Sequence, residues 1–429
     1  MRPRTRAIHG AYTRDPVTGA SVAPIYQSTA FAYATAEDLA DVFAGRAAGD
    51  VYSRISNPTT SILERRLTEL ESGLRGPALG CVATSSGMAA ITAGLVGLLR
   101  AGDHILSADG IFGGTVSLFN NILGRFGVTT SFAEASNTAS FAESIRDNTK
   151  LIFVETIGNP RMDVPDLPSL ADLAHKHNVP LVVDSTLTPP SIVQTGRFGA
   201  DIVIHSTSKF INGHGTAVGG ALIDTGNYDW SNGVFPDVKQ LSRRAGQLAF
   251  LAHLRRMVYR DLGGCPAPMN SFLMLQGLET LEPRMGLHCE NALRLAEYLD
   301  IHPKVAWVNY PGLPRSSHYE RVKRLFGGLA GGVLTFGLGD KARAMTFASA
   351  LKLARNMTNL GDAKTLVLHP ASTIFLEYEP DERQRMGVPE DMLRVSVGIE
   401  DFEDIKADFD QAIEAASVAA SDKCALTTA

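Results

Sequence analysis

The chain has 429 residues, 45% of them hydrophobic and 20% charged, with a net charge of −5. That length suffices for two domains sharing a large core, and the slight acidity argues against nucleic acid or an anionic membrane surface as a partner. Four scattered cysteines, Cys81, Cys265, Cys289 and Cys424, lack metal-ligand spacing, so neither a zinc site nor a disulfide framework is expected, and a reducing cytoplasm fits. The basic start, Met1 to Arg6, is followed by no apolar signal segment, and no apolar run approaches membrane-spanning length.

Residues 1 to about 60 are rich in Gly, Pro, Ser and Thr and read as an arm with little core of its own. From about 61 to 284, apolar strands alternate with helical patterns, which argues for a mostly parallel sheet covered on both faces. The expected strands are Ala78 to Ala83, Leu151 to Glu155, Val179 to Val183 and Ala200 to Ile204. Between them fall a long apolar helix from Met88 to Leu99 and another from Ser169 to His177. His175 and His177 close the latter and read as surface residues favourable to its C-terminal dipole. In Val238 to Leu262, Leu248, Leu251, Leu254 and Val258 recur at helical spacing, as in a packed helix. Residues 285 to 429 read as a smaller α+β domain, with a long helix from Met285 and strands at Ala330 to Phe336 and Leu393 to Val397. In the last strand Arg394 and Ser396 alternate with Leu393, Val395 and Val397, and the small polar tail after Ala415 is expected to fray.

Four segments carry chemistry. Lys209 follows an apolar strand in His205-Ser206-Thr207-Ser208-Lys209, and burial there lowers an amine's pKa and makes it nucleophilic. A Schiff-base lysine requires that property. Asp184 ends the preceding strand, where a carboxylate faces a ligand in an open α/β sheet. Ser85-Ser86-Gly87-Met88 links a strand to a helix N-terminus, where free backbone N–H groups and the helix dipole bind an anion. Tyr52-Ser53-Arg54 offers a guanidinium and a phenol to a phosphate. Individually these are an ordinary strand-end lysine, a turn aspartate, a serine N-cap and a polar loop. Together they make the pieces of a pyridoxal phosphate (PLP) site, in which an acid keeps the pyridine nitrogen protonated and the ring acts as an electron sink. The eleven histidines suggest no metal site, and His214 reads as a turn residue.

With those residues in hand, the chain resembles the cysteine/methionine-metabolism family of PLP enzymes, which includes cystathionine synthases and lyases, methionine γ-lyase and the homoserine-ester sulfhydrylases. The resemblance runs from about Thr5 to Ala415 and is carried by Val51-Tyr52-Ser53-Arg54, Asn57-Pro58-Thr59, Ser86-Gly87-Met88-Ala89, Asn159-Pro160, Asn359-Leu360-Gly361-Asp362, His369-Pro370-Ala371-Ser372 and Arg394-Val395-Ser396. Within the family the O-acetylhomoserine sulfhydrylase branch is most similar, through Ile8-His9-Gly10, Gly213-His214-Gly215-Thr216 and an added segment at about 224–264.

The resemblance implies an α/β fold of the aspartate-aminotransferase type (fold type I). It implies that Lys209 forms the Schiff base and moves protons, that Asp184 pairs with the pyridine nitrogen, and that Ser86, Gly87, Met88, Ser206 and Ser208 hold the phosphate. Tyr52 and Arg54 would reach a neighbouring subunit's cofactor, in a tetramer built from dimers. Asn159, Ser372 and Arg394 would hold the substrate. The implied reaction is γ-replacement on an O-acylhomoserine by sulfide or a thiol, with γ-elimination or γ-substitution by another nucleophile as alternatives. Three departures stand out. Phe112, in Phe112-Gly113-Gly114-Thr115, replaces a stacking tyrosine; Ser185-Thr186-Leu187 follows Asp184; and Thr373-Ile374-Phe375 follows Ser372, which implies a more apolar acceptor pocket.

Overall fold

A computed structural model describes the backbone of residues 1–427 and the side chains of residues 1–418; Cys424 lies outside the latter. The large sheet has seven strands: β1 (Gly80–Thr84), β2 (His104–Ala108), β3 (Thr129–Ala133), β4 (Thr149–Glu155), β5 (Leu181–Asp184), β6 (Ile202–His205) and β7 (Gly220–Asp224). Their order is β1-β7-β6-β5-β4-β2-β3, and only β7 runs against its neighbours. Apart from the edge strand β3, which is only partly buried, these strands are short and almost wholly buried, as a sheet covered on both faces requires. Because β1, β2, β4, β5 and β6 are parallel, the loops that follow them emerge at one edge.

A second sheet is made of β8 (Trp307–Asn309), β9 (Val333–Gly337), β10 (Arg355–Asn356), β11 (Leu366–Leu368) and β12 (Met392–Ser396), in the order β8-β9-β12-β11-β10. Strand β12 is central and buried along its whole length. The expected apolar–polar alternation is present, but both faces are covered, so Arg394 and Ser396 are buried polar groups.

Among the helices, α1 (Gly87–Leu98) follows β1 and α2 (Leu167–Lys176) precedes β5. Asn57 and Ser86 each cap a helix by accepting a backbone N–H, from Thr59 and Ala89 respectively. Two helical expectations need correction. Residues 236–262 do not form one helix: the chain breaks at Gly246, whose φ of 56° suits glycine, and resumes in a tighter then a wider coil. Leu251, Leu254 and Val258 are buried, whereas Leu248, beside the break, is exposed. The final helix, α3 (Phe402–Thr427), continues past Ala415 instead of fraying there, consistent with the helix-favouring alanines of that stretch. No described helix is long and apolar enough to cross a membrane.

His175 is also not a free surface residue. Its Nε2 lies 2.9 Å from Oδ2 of the fully buried Asp201, which also accepts the Leu181 backbone N–H at 2.7 Å. The hydrogen bond to Asp201 raises the His175 pKa, while burial raises that of Asp201 and His175 pulls it back. A histidine raised in this way stabilises most below its unfolded pKa of about 6.5 and less as pH climbs through the folded value. His175→Ala should therefore cost about 1–3 kcal/mol by leaving a buried carboxyl short of a partner. The melting-temperature gap to wild type should be wider near about pH 6 than near about pH 9; an equal gap at both would remove the ion pair from the account.

Candidate active site

The loops at the carboxyl edge of the large sheet enclose a cavity of about 830 Å³. Ser86, Gly87 and Met88 line it from the turn after β1, Phe112 from the loop after β2, and Asn159 from the loop after β4. Asp184 comes from the end of β5, Ser206, Ser208 and Lys209 from the segment after β6, and Arg394 from β12. These ten lining positions include every residue expected for cofactor and substrate except Tyr52, Arg54 and Ser372.

The phosphate-type corner is built by close backbone approach. A Cβ at Gly87 would lie 2.7 Å from the Ser206 Cβ, so only glycine lets the α1 N-terminus reach the Lys209 segment. Ser86 caps Ala89, and the first-turn amides of Gly87 and Met88 point out of the helix without intrahelical partners. Ser208 Oγ donates to the Gly219 carbonyl at 3.1 Å and accepts its N–H at 3.0 Å, which fixes the loop. These groups fit a phosphate at a helix N-terminus. Lys209 and Arg394 are the cations lining the cavity, and both are engaged elsewhere.

Lys209 is the chemically poised group. Its Nζ donates to Asn359 Oδ1 at 2.8 Å. Burial, then the nearby Arg394 charge, lower its pKa to about 8. Gly361, with φ of 74°, keeps the Asn359 loop close: a Cβ there would lie 2.6 Å from the Phe210 nitrogen. Asp184 Oδ1 accepts the Thr186 N–H at 2.9 Å, and the Thr186 hydroxyl accepts the Ser206 N–H at 2.8 Å, so Thr186 ties the ends of β5 and β6 together. Burial raises the Asp184 pKa, opposed by Thr186. A cationic ring nitrogen beside Asp184 would offset that desolvation, so the residues present fit PLP.

Arg394 is 3% exposed and is braced by Asn159 Oδ1 and the Asn359 carbonyl, each at 3.2 Å. Burial lowers its pKa to about 10, still charged at neutral pH and suited to a carboxylate. Ser372 stands apart from this group. Its hydroxyl is 2.8 Å from His369 Nδ1, and it does not line the cavity, because the Pro370–Ser372 turn closes on His369. Ile374 takes the lining position, while Phe375 is buried against Tyr378. Within one chain Tyr52 and Arg54 also lie outside the cavity: Arg54 donates to the Arg260 carbonyl and sits 5.3 Å from the Tyr52 ring centre.

Sequence reasoning missed Asn359, Thr186 and Glu155. Glu155 ends β4 as Asp184 ends β5, and the two are partners in register. A strand-end carboxylate was the available signal. Missed too was the buried pair beneath the lysine segment, His205 Nε2 to Glu71 Oε1 at 3.0 Å.

The family model for Cys/Met metabolism PLP-dependent enzymes matches residues 4–414. The chain belongs to this family. It is therefore a PLP-dependent enzyme with the α/β architecture of fold type I. It is 40% identical to a homocysteine synthase of Schizosaccharomyces pombe, over 96% of this chain and 98% of that protein. It is 39% identical to O-acetyl-L-homoserine sulfhydrylase 1 of Thermus thermophilus, over 96% and 100%. A crystal structure of an O-acetylhomoserine (thiol)-lyase from Campylobacter jejuni superimposes with a TM-score of 0.91 at 33% identity, covering 96% of this chain and 100% of that one; it carries a pyridoxyl-lysine monophosphate.

Borohydride reduction of the holoenzyme followed by peptide mapping should place the pyridoxyl label on Lys209; label on another lysine would sink the assignment. In apoenzyme, the neutral amine is the reactive form, so the rate of Lys209 carbamylation by cyanate should rise with an inflection near pH 8. An inflection at the ordinary lysine value of about 10.4 would contradict its desolvation.

Proposed function

We propose that the enzyme carries out γ-replacement on an O-acyl-L-homoserine, O-acetyl-L-homoserine first among them, with sulfide or a thiol as nucleophile. The observation that carries this reading is the desolvated Lys209 amine between a phosphate-type corner and the Arg394–Asn159 pair, in a family member similar to homocysteine synthases and O-acetylhomoserine sulfhydrylases. PLP, when bound, supplies an electron sink that acidifies the α- and β-carbons of an amino acid.

Each residue then has a task. Gly87 and Met88 amides with the Ser206 and Ser208 hydroxyls would hold the phosphate, and Asp184 would stand opposite the pyridine nitrogen. Arg394, oriented by Asn159, would grip the substrate carboxylate. Lys209 Nζ, close to neutrality in its pKa, would take a proton from the α-carbon and move protons at the β-carbon. Asn359 Oδ1 would hold that amine in place between transfers. Phe112 presents an apolar ring to the cavity and has no hydroxyl to donate, which leaves the proton traffic to Lys209. Ile157, Leu187, Leu360 and Ile374 give the cavity apolar walls. Such walls favour a thiol or hydrosulfide over water as the attacking group, and so replacement over elimination.

Among the described residues of one chain, the phosphate corner has no cation beyond Lys209 and Arg394. That supports a shared site in which Arg54 and Tyr52 of one subunit complete the corner of another, in a tetramer of dimers. The buried free thiols Cys81 and Cys289 accord with a reducing cytoplasm.

O-acetyl-L-homoserine with sulfide should yield homocysteine and acetate, and without sulfide only slow formation of 2-oxobutanoate. Equal 2-oxobutanoate output with and without sulfide would make elimination the reaction instead. For the shared site, Arg54→Ala and Lys209→Ala should each be inactive alone, yet regain activity when mixed under conditions shown to exchange subunits, because some sites then carry neither lesion. No recovery on exchange would place Arg54 outside the neighbour's site.

A further inference from the structure

Glu155 has no part in the reaction described above, yet it lies at the centre of the cavity's hydrogen bonding. It is 7% exposed at the end of β4 and lines the cavity. Its two oxygens serve two different loops. Oε1 accepts the Phe112 backbone N–H at 2.8 Å, and Oε2 accepts the Asn159 backbone N–H at 3.1 Å. Asn159 in turn bonds Arg394, Arg394 bonds the Asn359 carbonyl, and the Asn359 side chain bonds Lys209. A continuous path of hydrogen bonds therefore runs from the Phe112 turn to the reactive amine, and its first two links are the two oxygens of one carboxyl group.

That carboxyl is held where its charge is costly. Burial raises its pKa well above the ordinary value, as does Asp184, its partner in register on β5. The two backbone donors oppose that shift. A buried carboxyl facing another carboxyl is an expensive way to fill space, since a neutral side chain of similar size would pack without the desolvation penalty. What a carboxylate provides and such a side chain does not is acceptance on both oxygens, from two amides that belong to different loops.

We propose that Glu155 is a positioning residue that couples the placement of the Phe112 ring over the cofactor to the placement of the Asn159–Arg394 pair that grips the substrate carboxylate. The inference concerns any amino acid bound at the site and is independent of which ester or nucleophile is used.

Glu155→Gln tests it with little change in volume. The amide keeps one acceptor oxygen but turns its NH2 toward the other backbone N–H, so one of the two loops is released. The probe is L-norleucine, an amino acid without a leaving group, titrated into the holoenzyme and followed by the cofactor's absorbance. Loss of one of the two hydrogen bonds should weaken norleucine binding about tenfold. The visible circular dichroism per bound cofactor should change at the same time, because the Phe112 ring is no longer fixed against it. Glu155→Asp, which keeps the carboxyl group but is too short to span both amides, should show the same paired effect. If norleucine affinity and dichroism per bound cofactor stay at wild-type values while only the melting temperature falls, Glu155 merely packs and the proposal is wrong. Failure of both variants to fold or retain cofactor would likewise assign it to structure. A change in dichroism without a change in norleucine affinity, or the reverse, would show that the two loops are not coupled through this residue.

Discussion

Burial of charge at the carboxyl edge of the parallel sheet is the constraint on which the site depends. Parallel strands deliver their ends to one side, so Glu155, Asp184 and the Lys209 segment emerge next to each other. Loops and the second sheet then remove them from water. Desolvation disfavours every charged form, pushing the carboxyls up and the cations down. A lysine amine is made nucleophilic and two acids are left eager for cationic or N–H partners. A protonated ring nitrogen would offset the desolvation of Asp184, and an anionic phosphate would suit the free N–H groups at the α1 N-terminus.

The second sheet completes what the first begins. Arg394 comes from its central strand, and Asn359 from a loop between its strands β10 and β11. The bond from Lys209 to Asn359 and the bond from Arg394 to Asn159 each join one sheet's elements to the other's. Lys209 and Arg394 thus owe their positions to contacts across the cavity. Gly87 and Gly361 have the same logic in the backbone: each permits an approach that a side chain would block. Stability and the site therefore draw on the same residues, and the cavity sets apolar walls beside its hydrogen-bonded groups.

Two departures from the family pattern shape the chemistry in one direction. Phe112 removes a hydroxyl, and Ile374 sets an aliphatic group in the cavity wall. Both lower the number of polar groups that line the cavity. Fewer groups remain beside Lys209 that could move a proton or hold a water. The neighbouring Phe375 takes no direct part, being turned into a small apolar cluster with Tyr378.

Residue order alone made Lys209, Asp184, the Ser86-Gly87-Met88 turn and the alternating α/β architecture legible. Each is a local event: an apolar run of strand length, then a chemically distinctive group where the run ends. Glu155 ends its strand in the same way, so the same local signal marks it. Tertiary structure alone decided the rest. Asn359 lies 150 residues from the lysine it holds, and Glu71 lies 134 residues from His205. Spacing along the chain carries no trace of such pairs. The same limit explains the corrections. His175 looked like a solvated helix end because Asp201 comes from a different element, and the fold turns the Ser372 hydroxyl toward His369, outside the cavity of one chain. Local sequence sets which groups end a strand or start a helix, since those signals act over a few residues. Which groups meet, and how far burial shifts their protonation, is settled by the packing of distant segments, since desolvation and hydrogen bonding depend on distance in space.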